Sequence, residues 1–159
     1  MTDSERMLPL HPNHLKVLRI RAAIMALALA AAALALDATA MRRIDLPFGA
    51  VAGGAALFAA TLALLLPRRR YRAWAWRMDE EELRIASGVL VRSDTIVPFG
   101  RVQHIDILRG PLQRRYGLGS LVLHTAGTRS AATVLPGLDI AEAERMRDHV
   151  RARIREDLV

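Results

Sequence analysis

The chain has 159 residues, with 23 lysines and arginines against 16 aspartates and glutamates, and no cysteine. The missing cysteine excludes disulfides, thiol catalysis and cysteine-ligated metal sites. The basic excess lies in residues 1–70, nine basic to four acidic side chains, while residues 71–159 hold fourteen to twelve; charge that flanks apolar segments sets membrane orientation, and no nucleic acid is expected as a partner.

Residues 1–21 are expected to form a cytoplasmic N-terminal tail. Met1 to Asn13 is polar, carries Pro9 and Pro12 and reads as flexible, and Lys16, Arg19 and Arg21 then lead into an unbroken apolar run from Ala22 to Leu36. Asp37 interrupts that run, so a first span over about 22–41 is long enough only if its carboxylate lies near the far headgroups, where it stays hydrated. A basic start, a short apolar run and Ala38-Thr39-Ala40 also fit a cleaved secretory signal. The long basic region and the second apolar segment close behind favour an uncleaved span.

That second segment, Leu46 to Leu66, is uncharged and ends at Pro67 followed by Arg68, Arg69 and Arg70. As a helix it measures roughly 30 Å, the thickness of a bilayer's hydrocarbon core. The four residues Arg42 to Asp45 suffice only for a tight turn, so residues 22–66 are expected to form a transmembrane hairpin with spans at about 22–41 and 46–66. Positive charge at both outer ends predicts a multi-pass protein with cytoplasmic N- and C-termini. Gly49 and Gly53, one turn apart, would allow close packing of the two helices on each other.

From Pro67 to residue 159 the pattern becomes that of a cytoplasmic domain. Tyr71 to Arg77 alternates large and small side chains, as an interfacial aromatic belt, a first strand, or both. Asp79 to Glu82 lacks the alternating ligands and central glycine of a calcium loop and reads as a solvated turn. Strand character follows at Leu83 to Ala86, Val89 to Arg92, Thr95 to Phe99, Val102 to Leu108, Leu118 to Thr125 and Ala132 to Leu135, separated by turn signals that include Ala126-Gly127, which predicts an antiparallel meander. Pro111 to Tyr116, closed by Gly117, reads as a single helical turn. A last helix is capped by Asp139 with Glu142 in its first turn, and Ile140, Ala143, Met146, Val150, Ile154 and Leu158 make one apolar stripe suited to covering a sheet.

Two apolar spans, Tyr71 to Trp76, Leu83-Arg84-Ile85 with Gly88, Val97-Pro98, Val102 to Ile105 and, most specifically, Arg109-Gly110-Pro111-Leu112-Gln113-Arg114-Arg115-Tyr116-Gly117-Leu118-Gly119 resemble the bacterial pleckstrin-homology-like (bPH2) membrane proteins of the YdbS type. The resemblance implies an α+β protein of the bacterial cytoplasmic membrane: a helical hairpin followed by a strongly bent, seven-stranded antiparallel β-barrel capped by the C-terminal helix. It implies no enzyme activity and no cofactor, and a larger membrane protein with PH-like domains as partner. Phosphoinositide binding does not carry over, since no phosphate-cradling loop can be identified.

The expected function is thus a non-enzymatic, membrane-anchored interaction module. Its candidate binding residues are Arg109, Arg114 and Arg115 around the Pro111 turn and the juxtamembrane Arg68, Arg69 and Arg70. Of the arginines on the turn, Arg114 is expected to be structural, its stem on the barrel wall or its head on a loop carbonyl, and Arg115 to face outward. An alternative is recognition of anionic lipid headgroups by the same arginines. A third reading, a metal-dependent enzyme binding zinc or iron, rests on His104 and Asp106, which share a strand face, and His124 on a later strand. No HExxH, nucleophile elbow or Walker loop accompanies them.

Overall fold

The computed structural model describes residues 7–40, 49–125 and 132–156. The expected turn at Arg42 to Asp45, the first residues of the second span, the Ala126-Gly127 turn and the last residue of the C-terminal stripe lie outside the described residues. The chain divides into two compact units: residues 15–69, and residues 70–159 together with the segment that precedes residue 15.

The helical unit is built from α1 (Pro12–Ala40) and α2 (Ala50–Arg72), whose ends run into the second unit. Both are long and apolar enough to cross a membrane, and few of their side chains are buried within the protein. Met25, Leu27, Leu57 and Leu64 all face outward, the reverse of a core helix in a soluble protein. α2 does not stop at Leu66; it runs through Pro67 to Arg72, so Arg68 to Arg70 are exposed helical residues. Asp37 also departs from expectation. It is buried, and its Oδ2 accepts the N–H of Ala52 at 3.3 Å, in the first turn of α2 where a carboxylate is electrostatically favoured. Gly53 is exposed and a Cβ there would touch nothing, so the glycine spacing is not used to pack the two helices.

The second unit holds two antiparallel sheets. The first has the order β1-β2-β3-β4, with β1 at Leu8–Pro9, β2 at Ala75–Met78, β3 at Glu82–Ser87 and β4 at Ser93–Pro98. The second has the order β5-β6-β7, with β5 at Val102–Leu108, β6 at Leu118–Thr125 and β7 at Thr133–Asp139. Among the described residues there are thus two sheets of four and three strands in place of one closed seven-stranded barrel. A single 3₁₀ turn at Phe99–Arg101 separates β4 from β5, and Pro98 before it has no N–H to extend the ladder.

From residue 7 onward the leading segment is not the flexible tail expected. Leu8 and Pro9 pair with Trp76 and Ala75, Leu10 is buried in the core, and its carbonyl accepts the Tyr71 hydroxyl at 2.7 Å. His11 N donates to Gly137 O and Asn13 Nδ2 to Tyr116 O. The sequence from Val89 to Arg92 is likewise not a strand but the exposed turn between β3 and β4.

The core is formed by alternate residues of the strands, among them Leu83, Ile85, Val97, Leu121, Leu123 and Leu135, closed over by Ala143, Met146 and Val150 of α4 (Ile140–Glu156). Asp139 Oδ1 accepts the N–H of Ala141 at 3.0 Å, the expected cap. β6 lies between two neighbours and is buried on both faces over most of its length, which is why its pattern lacks a clean polar side.

Candidate interaction surface

The segment after β5 forms α3 (Pro111–Arg115), one turn with proline at its first position. Gln113 organises it from within: its Oε1 accepts the N–H of Gly110 at 2.9 Å, and its Nε2 donates to Ser120 Oγ at 2.8 Å. Gln113 and Ser120 are both buried. With its donor and acceptor both engaged, this amide holds the turn against the outer face of β6.

The clamp dictates where the arginines go. Arg109 Nε donates to the carbonyl of Leu118 at 3.2 Å, so Arg109 is the arginine that ties down a carbonyl. Arg114, expected in that structural role, is exposed, as is Arg115. The three basic residues are therefore gathered on and beside one turn and are all exposed, with Arg109 held by a carbonyl. Arg68 and Arg69 belong to the helical unit and Arg70 opens the domain unit; all three are exposed.

The strand register does bring His104, Asp106 and His124 together, since His104 stands directly opposite His124. His104 Nε2 lies 3.0 Å from Asp106 Oδ1, His124 Nε2 lies 3.4 Å from Asp106 Oδ2, and the ring centroids are 5.8 Å apart. Each carboxylate oxygen serves a different imidazole, so the nitrogens do not converge on a common point. Among the described residues no group of three or more histidine, aspartate and glutamate side chains could hold a metal ion. The cluster is a hydrogen-bonded patch on the sheet surface, against the reading of a metal centre.

The acidic turn lines an open depression of about 410 Å³ with Glu80, Glu81, Glu82, Pro98, Phe99, Gly100 and Arg153. Arg153 Nη2 lies 3.5 Å from Glu80 Oε2, and Arg77 pairs with Asp79. The turn is thus solvated and partly neutralised, as its sequence suggests.

Residues 16–154 match the model of the family described as Bacterial PH domain. The chain is 37% identical over 95 residues to "UPF0699 transmembrane protein YdbS" of Bacillus subtilis (strain 168), an alignment covering 58% of each chain. It is 29% identical over 104 residues to "UPF0699 transmembrane protein YdbT" of the same organism, covering 65% of this chain and 20% of that one. The alignments thus span less than two thirds of either relative. No solved structure matches the chain.

Proposed function

The chain belongs to the bacterial PH domain family, and from that premise we propose that it is a non-enzymatic, membrane-anchored PH-like module that docks a larger membrane protein carrying related domains. The observation that carries this reading is a basic turn held by buried hydrogen bonds on a small domain joined at two points of the chain to apolar helices. The two relatives add support, since stretches similar to this chain occur in one organism both in a protein more than half of which they fill and in a much longer one. Two domains of one family in one membrane are natural partners for each other.

The topology we infer is a double crossing with both termini cytoplasmic. β1 precedes the first apolar helix, β2 follows the second, and the two strands pair; a sheet shared across the helices requires both of their outer ends on one side of the membrane. The same pairing favours an uncleaved first span, because cleavage after it would discard β1.

The experiment is purification of the full-length protein from its own membranes in mild detergent. A membrane protein with PH-like domains should co-purify in fixed ratio, and Arg114→Glu with Arg115→Glu should release it. Anionic-lipid recognition by the same exposed arginines is the second reading. Vesicles of phosphatidylcholine with and without phosphatidylglycerol distinguish it: salt-sensitive preference for the anionic vesicles, lost in the double variant, with no co-purifying protein, would replace the first reading.

A further inference from the structure

The turn joining β3 to β4 exposes three consecutive aliphatic residues. Leu90 is 97% exposed, Val91 81% and Val89 43%. This is a built conformation. Gly88 has φ +116°, and a Cβ there would overlap the carbonyl oxygen of Val91. Below the turn, Arg84 and Asp94 pair across the strands, and Ser87 stands opposite Ser93. The chain thus spends a glycine and a cross-strand ion pair on presenting apolar side chains to the outside.

Register shows which end of the sheet this is. Pro9 pairs with Ala75 and Ala75 with Ala86. Just past Pro9 the chain enters α1 at Pro12; just before Ala75 it leaves α2 at Arg72. Both helical connections and the β3–β4 turn therefore emerge from the same end of the first sheet. From Leu66 to Ala75 the chain can stretch at most about 20 Å, helix to Arg72 and extended beyond it, and a five-residue turn reaches up to about 10 Å past its strands.

We propose that Val89, Leu90 and Val91 insert into the interface of the bilayer that α1 and α2 cross, making the turn a second, shallow membrane contact for the domain. The proposal rests on the spanning role given above to the two helices. Size and charge favour lipid as the occupant. Three aliphatic side chains fall well short of the roughly 800 Å² per partner of a stable protein contact, whereas each buried apolar group adds directly to interfacial partitioning. The exposed Arg92 beside the tip suits anionic headgroups, while the nearby carboxylate of Asp94 is engaged by Arg84.

Because the chain has no cysteine, single spin labels report depth without background. The full-length protein, carrying Leu90→Cys, Leu64→Cys on α2 or Arg151→Cys on α4, is reconstituted in vesicles of phosphatidylcholine and phosphatidylglycerol. Collision with oxygen and with a water-soluble nickel chelate is then compared. Labels at Leu90 and Leu64 should favour oxygen, and the label at Arg151 the chelate. If Leu64 is immersed while Leu90 reads as aqueous as Arg151, insertion of the turn is overturned and the spans stand. If Leu64 is itself aqueous, the spanning role fails and the proposal with it. A Leu90 label shielded from both reagents would mean a protein contact and would equally remove the bilayer as occupant.

Discussion

Gly137 shows how a single residue ties the leading segment to the sheet. It has φ +68° and a Cβ there would collide with the ring of His14, whereas Gly117, at the same φ, has open space around it. Alanine at Gly117 should cost only the left-handed backbone penalty, about 1–2 kcal/mol. Gly137→Ala should cost clearly more, since His14 must also move, and paired thermal melts of the two variants measure the difference. Arg84 and Asp94 give a pH-dependent prediction. The hydrogen bond from Arg84 holds the Asp94 carboxyl below its ordinary range. A carboxylate with a depressed folded-state value contributes its stabilisation above the unfolded value and loses it as pH falls through the folded one. Wild type should therefore melt slightly above Asp94→Asn at neutral pH and converge with it in strongly acidic solution. The gap should be small, because both side chains are exposed to water.

At the scale of elements, β1 and α4 are the pieces whose removal should be felt. Leu10 brings a fully buried side chain to the core from the far side of both apolar helices in sequence, and Leu10→Ala should cost about 2–5 kcal/mol. A fragment beginning at Tyr71 should accordingly be less stable than one with residues 7–14 joined to it through a linker, as denaturant titration of the two would reveal. On α4, Met146 and Val150 are buried while Arg151 is exposed. Met146→Asp or Val150→Asp should unfold the domain, and Arg151→Ala should be nearly silent. Unchanged melting of the aspartate variants, with loss of membrane association, would instead make α4 a membrane-surface helix.

For the whole molecule the decisive quantity is the side on which each end lies. Single cysteines at Arg43, between the two apolar segments, and at Arg151 should respond oppositely to an impermeant thiol reagent in intact cells: labelled at Arg43, protected at Arg151. Labelling at Arg151 would reverse the orientation, and protection at both sites would remove the double crossing.

Much of this protein is written locally and could be read locally. Apolar runs of bilayer length, the cap and stripe of α4, and the proline and glycine that bound α3 depend on neighbours a few residues away, so periodicity and composition suffice for them. What only the tertiary structure decided are features whose partners are distant in the chain. Leu8 and Pro9 look like tail because their hydrogen-bonding strand begins at Ala75, beyond two helices. Asp37 looks like a headgroup contact until the first turn of α2 supplies its donor. Val89 to Arg92 has the composition of a strand, yet Gly88 bends the chain so that those residues make the turn. The arginines around α3 were legible as a group, but that Arg109, exposed like Arg114 and Arg115, is tied to the Leu118 carbonyl depends on how Gln113 clamps the turn to β6. Sequence carries the period of each element, while the long-range pairing that chooses between equally good local conformations exists only once the sheets have closed over the core.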